Sequence, residues 1–167
     1  MSDAIMIDPL RFAREGEQMS GEKPVTALSR VSNVVADTGV PVRYQIAGNI
    51  DALGRPVLSL RVTGEVGLVC QRCLEPMVFP FALATDLVVF RYEDQLAEAE
   101  ALDPELEALL VEEAGDLMVL VEDEILLALP FAPRHDHCVD LPGSDEGPEE
   151  LNAASPFAAL AALKQRN

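Results

Sequence analysis

The sequence predicts an α+β fold, an antiparallel β-meander packed with a few helices. Three observations lead there. From Thr26 to Phe90 apolar and polar residues alternate, the period of a half-buried strand. Helix signals stand on either side of that block: a cap-and-proline start at Asp8-Pro9, and apolar residues at helical spacing from Asp116 to Pro130. The 49% hydrophobic content over 167 residues suffices for one core without staples.

Taken in order, Ile7-Asp8-Pro9 opens a helix. Asp8 caps it, Pro9 suits the first helical position, and Ile7 staples to Phe12. The helix is expected to run to about Ser20 and stop at Gly21, with Gly16 weakening it by roughly 1 kcal/mol. Val42, Tyr44 and Ile46 then alternate with polar neighbours. Asn49 to Pro56, with Gly48 and Gly54 inside or beside it, reads as a turn. Leu58, Leu60, Val62, Val66 and Leu68 share one face, opposite Arg61, Thr63 and Glu65. Gly64 marks a bulge or a bend in that strand. Phe79, Phe81, Leu83, Leu87 and Val89 form the return strand, and Pro80 places it at an edge. The hairpin between these strands carries Cys70 and Cys73 at its tip.

Gln95 to Val111, rich in Ala, Leu and Glu, is expected to be partly helical, with Asp103-Pro104 starting a new turn. Asp116 caps the next helix, Leu117, Val121, Ile125 and Ala128 share its apolar side, and Pro130 stops it. Glu122-Asp123-Glu124 are expected to face water or a partner. Residues 1–140 read as a single α+β domain. Residues 141–155, with Pro142, Gly143, Gly147 and Pro148 among acids, read as an acidic flexible linker. Residues 156–167 read as a short helix with Phe157, Leu160 and Leu163 on one side. It is too short to stand alone in water.

The net charge of −17 is unevenly placed. Residues 1–91 carry 9 basic and 10 acidic side chains, whereas residues 92–155 carry Arg134 alone against 19 acids. Salt-driven binding to naked nucleic acid needs clustered Lys and Arg. DNA binding is therefore not expected, and direct contact with RNA stays open. The acidic half either keeps the molecule soluble or meets a basic protein. Three cysteines argue against a disulfide framework and for a reducing compartment. Met1-Ser2-Asp3-Ala4 lacks a basic flank and an apolar stretch, so no signal peptide is expected, and no apolar run is long enough for a membrane span.

Val69-Cys70-Gln71-Arg72-Cys73-Leu74-Glu75-Pro76 is the chemical centre of the sequence. Zinc takes four ligands in a tetrahedron, mostly thiolate or imidazole. A C-x-x-C on a tight turn supplies two, and Cys138 with His137 or His135 completes the set. Arg72 offsets thiolate charge. Leu74 stands where zinc knuckles often have Gly. Unliganded reduced thiols are the plain alternative. A redox dithiol prefers a helix N-terminus, and Pro76 with a strand–turn–strand context counts against it. No nucleophile elbow, P-loop or dinucleotide fingerprint is present. Acid pairs such as Glu112-Glu113 read as solvated charge.

Four motifs then fall in order: Val69-Cys70-Gln71-Arg72-Cys73 closing a hairpin, Val121 to Pro130, His135-Asp136-His137-Cys138, and Pro156 to Lys164. Together they resemble the YceD family of bacterial large ribosomal RNA subunit accumulation proteins. Asp8-Pro9 and Arg11 also fit, so the resemblance covers nearly the full chain. The segment from His135 to Cys138 is shorter than that pattern. The resemblance implies a cytoplasmic factor for large-subunit ribosomal RNA accumulation, with no established catalytic activity. It makes Cys70, Arg72 and Cys73 the signature, joined by His135, His137 and Cys138. An acidic protein that affects RNA is expected to act through a basic ribosomal protein or assembly factor. The alternative is a metal-dependent or nuclease-like enzyme acting on RNA.

Overall fold

Alternation becomes a sheet because each strand can bury one face. In the computed structural model, which describes residues 6–111 and 114–138, β1 is Met6–Ile7, α1 Pro9–Glu15, β2 Gln18–Lys23 and α2 Ser29–Ser32. Then come β3 (Val42–Ile50), β4 (Pro56–Val69), β5 (Pro76–Phe90), α3 (Glu93–Leu102), β6 (Ala108–Leu110), β7 (Gly115–Asp116) and α4 (Leu117–Ala128). The main sheet has the order β2-β3-β4-β5-β6, and β1 pairs with β7 in a small second sheet. β2 to β5 are antiparallel neighbours, the expected meander.

Val42, Tyr44 and Ile46 of β3 are buried while Arg43 and Gln45 are exposed. Leu58, Leu60, Val62 and Val66 of β4 extend the same apolar face. Phe12 and Ala13 of α1, Val31 of α2, and Leu117, Val121 and Ile125 of α4 close over it as one core. A smaller cluster, Val57, Val88 and Phe90 with Leu96 and Ala99 of α3, lies elsewhere. Both sets meet at the end of β5, which explains why Val88, Val89 and Phe90 are all buried where alternation would expose one.

The first helix is half its expected length. Asp8 caps it as anticipated, accepting from the N–H groups of Leu10 and Arg11, and Ile7 packs on the core that holds Phe12. Gly16 does not weaken the helix but ends it. Its φ of 66° is left-handed, and its N–H closes on the carbonyls of Ala13 and Phe12. Gly21 lies inside β2, opposite Tyr44. Gly48 is likewise a strand residue, not part of the turn. A Cβ there would stand 2.3 Å from the Phe12 carbonyl oxygen, so its bareness lets α1 lie directly on the sheet. The turn itself, Asp51 to Arg55, is where the sequence placed it.

Pairing runs unbroken from Thr63↔Ala82 through Gly64↔Phe81 to Glu65↔Pro80, so Gly64 makes no bulge. Pro80 does lie on an edge stretch, since β6 covers only Val88 to Phe90 among the described residues. Asp103-Pro104 ends α3 and begins no new turn of helix. Four residues after Pro104 the chain re-enters the sheet as β6, parallel to β5. Three residues offer too short a pattern to be seen in the sequence.

Asp116 caps α4 as predicted. Of the acidic triplet on it, expected to face water or a partner, Glu122 turns inward while Asp123 and Glu124 stay half-exposed. Glu122 is 7% exposed and accepts the N–H groups of Arg30 and Val31. Asp123 pairs with the Arg30 guanidinium, and Glu124 accepts from the Thr85 hydroxyl. The linker at 141–155 and the helix expected at 156–167 fall outside the described residues. Among those described, no helix is long and apolar enough to cross a membrane.

Candidate functional site

β4 and β5 are longer than the strand beside them. β3 pairs with β4 only from Pro56 to Thr63, whereas the β4–β5 pairing continues to Val69↔Pro76. The C-x-x-C loop caps this overhang, at the hairpin tip where the sequence put it. The Cys70 N–H donates to the Glu75 carbonyl at 3.0 Å, and the Leu74 N–H donates to the Cys70 carbonyl at 2.9 Å. Closing so tight a loop forces Leu74 to a φ of 63°, the only positive φ outside glycine among the described residues. The sequence had marked Leu74 as a place where glycine would be usual, and the backbone shows why.

Cys70 is fully buried, Cys73 half-buried and Arg72 exposed. The second cluster arrives by way of α4. Pro130 follows that helix, and the Pro133 carbonyl accepts the Gln71 N–H at 2.8 Å. This bond pins the chain to the thiol loop two residues before His135. Each residue spans at most about 3.6 Å, so connectivity alone keeps His135 within roughly 7 Å of the pin. One ligand atom each from Cys70, Cys73, His135 and Cys138 all lie within 4.8 Å of one another. His135 and Cys138 are half-buried, while His137 is exposed and outside the group. The sequence left both histidines open as ligands.

The group can hold a metal ion. Tetrahedral zinc with bonds of about 2.0–2.3 Å separates its ligand atoms by roughly 3.3–3.8 Å. Ligand atoms all within 4.8 Å of one another are compatible with it. Three thiols and one imidazole also match zinc in softness. Four protein ligands fill the coordination sphere, as in structural sites, and leave no position for a reacting water.

Beside the loop runs a groove of about 470 Å³. Val34, Leu68, Val69, Leu129, Pro130 and Pro133 give it apolar walls, and Gln71 reaches it from the loop. No carboxylate or imidazole from the described residues lines it. Sequence reasoning did not foresee this groove. Its residues come from four separate segments, and only tertiary contact assembles them.

The model of a protein family described as large ribosomal RNA subunit accumulation protein YceD matches residues 58–164. The chain belongs to the YceD family. A curated YceD protein from Haemophilus influenzae, described as a large ribosomal RNA subunit accumulation protein, is 31% identical over 173 residues. The alignment covers 97% of this chain and 96% of that protein. No solved structure matches. The YceD match takes in the thiol hairpin, α4 and the segment from His135 to Cys138, so the whole four-residue group lies inside it. Relatedness over α1, β2 and β3 rests on the Haemophilus protein, which aligns along nearly the full length.

Proposed function

We propose that this chain is a non-enzymatic cytoplasmic factor in large ribosomal subunit biogenesis, needed for accumulation of large-subunit ribosomal RNA. Membership in the YceD family supports it, as does the name of the Haemophilus relative. The observation that carries the non-enzymatic part is the apolar groove beside the thiol corner. A groove without acid–base groups recognises a partner surface and offers no proton transfer.

Its partner is a basic ribosomal protein or assembly factor. Residues 93–107 present seven exposed carboxylates and no cation. A strip of one sign raises the encounter rate with an opposite charge, and the effect weakens as salt rises. The groove then supplies the apolar contact that selects the partner.

The metal of the four-residue group is zinc, with Cys70, Cys73, His135 and Cys138 as ligands. Bound there, it ties the hairpin tip to the segment after α4 and keeps the groove wall in place.

The experiment is depletion of the protein in its own host. Large-subunit ribosomal RNA should fall relative to small-subunit RNA, and wild type should restore it. Affinity capture at low and high salt, with nuclease, addresses the partner. Retention of the same proteins after nuclease and their loss at high salt is the expected result. Capture of RNA alone would overturn the partner reading.

A further inference from the structure

Away from the thiol loop, three of the protein's few cations converge. Arg14 at the end of α1, Arg55 at the start of β4 and Arg91 at the end of β5 line one cavity of about 440 Å³. Tyr92 and Gln95 complete its rim, and no carboxylate of the described residues lines it. In a chain of net charge −17 this is an unusual concentration of guanidinium groups.

The three are held differently. Arg91 is clamped by Asp8, with Nη2 at 2.9 and 3.0 Å from its two carboxylate oxygens. Arg55 gives its Nε to Asp51 at 2.7 Å. A guanidinium has five donors, so this leaves both terminal amino groups of Arg55 for a ligand. Arg14 has no ion-pair partner among the described residues. Two arginines are thus preorganised by carboxylates behind them, and the third is available to close on an anion. Tyr92 is 61% exposed, so its ring face is open for stacking.

We propose that this cavity binds a nucleotide unit, its phosphate on Arg14 and Arg55 and its base stacked on Tyr92. Forked guanidinium donors match phosphate oxygens. Base–aromatic stacking beside a cationic groove is the usual means of holding single-stranded nucleic acid. The volume admits about one nucleotide. Glu93 and Asp94 follow Tyr92 directly, so affinity rests on contact and not on a long-range field. The inference is independent of the partner reading above. A site on α1, β4 and β5 can fail while the groove stands, and the converse.

The chain has no Trp, and its other tyrosine, Tyr44, is buried. Tyrosine fluorescence, corrected for absorbance by the probe, therefore reports chiefly on Tyr92 in wild type and Arg14→Ala, and isothermal titration calorimetry reads binding in all three proteins, Tyr92→Leu included. The full-length protein is titrated at low salt with adenosine 5′-monophosphate, inorganic phosphate and an unstructured single-stranded RNA decamer. Saturable quenching by the monophosphate is expected. Arg14→Ala and Tyr92→Leu, both at exposed positions, should each weaken binding by about tenfold. Tighter binding of the decamer identifies an RNA strand as the source, and equal binding identifies a free nucleotide. No saturable binding overturns the proposal, as does binding that neither substitution changes. Phosphate binding as well as the monophosphate, untouched by Tyr92→Leu, also overturns it, because the base then contributes nothing.

Discussion

Glu122 Oε2 accepts the backbone N–H of Arg30 at 2.6 Å, across 92 residues of chain. The same oxygen takes the N–H of Val31 at 3.2 Å. A buried carboxylate on α4 thus satisfies the first N–H groups of the four-residue helix α2. Removing it leaves buried donors without an acceptor. Glu122→Ala is expected to cost about 2–3 kcal/mol, and Glu122→Gln clearly less, because the amide oxygen still accepts. Urea unfolding measures both. Equal losses would show that the hydrogen bonds are not what matters.

Leu74 holds a left-handed backbone with its side chain 73% exposed. It loses little packing when removed and much strain. Leu74→Gly should stabilise the protein by up to about 1 kcal/mol. A higher urea midpoint at unchanged slope is the expected signature, and a lower midpoint contradicts it.

Gly48 faces α1 at a distance no Cβ tolerates. Gly48→Ala must push the helix off the sheet, at a cost of about 3 kcal/mol or more. Gly54, at the open turn, has nothing within 4 Å, but its φ of 77° still favours glycine. Gly54→Ala should therefore cost about 1 kcal/mol, from backbone strain alone. Thermal unfolding of the two variants side by side distinguishes crowding from strain.

Protein purified without chelator should contain about one zinc per chain. Cys73→Ser and His135→Ala should lower the content sharply, and His137→Ala should not, since His137 lies outside the group. Elemental analysis decides it. Loss from His137→Ala with none from His135→Ala would mean that His137 takes the fourth position.

Asp51 closes the β3–β4 turn. Partial burial pushes its carboxyl pKa up. Hydrogen bonds from the Arg55 backbone and side chain and the Leu53 N–H, with the Arg55 charge, outweigh that and leave it lowered. Asp8 is lowered too: burial again raises it, and Arg91 with the α1 backbone N–H groups prevails. A carboxyl lowered by folding stabilises the native state fully above its unfolded pKa of about 3.9 and loses that contribution as pH falls through the folded value. Asp51→Asn should be less stable than wild type at neutral pH, and the gap should narrow below about pH 4. Denaturant melts across that range test it. A gap that stays constant with pH would assign the loss to turn geometry instead of charge.

How far the sequence could be read depended on the range of the forces involved. Asp8, Pro9 and Asp116 announce helix starts because capping acts within one turn of chain. The run from Leu58 to Val66 announces a strand because period two is local. Gly16 and Gly21 were assigned the wrong roles because a glycine serves equally as weak helix residue, cap or strand residue. Three residues of β6 carry no period of their own, and only the open edge of β5 recruits them.

Composition, pattern and motif order alone settled the α+β class, the thiol-tipped hairpin, the helix after Asp116 and the kinship with YceD. Each of those is written in neighbouring residues, where hydrophobic spacing and capping operate. Which histidine joins the three thiols, why Glu122 is buried, and how Arg14, Arg55 and Arg91 come to share a cavity were decided by the folded chain. Those relations join residues far apart in sequence, and their energies exist only once packing has brought the groups within hydrogen-bonding or ligand distance.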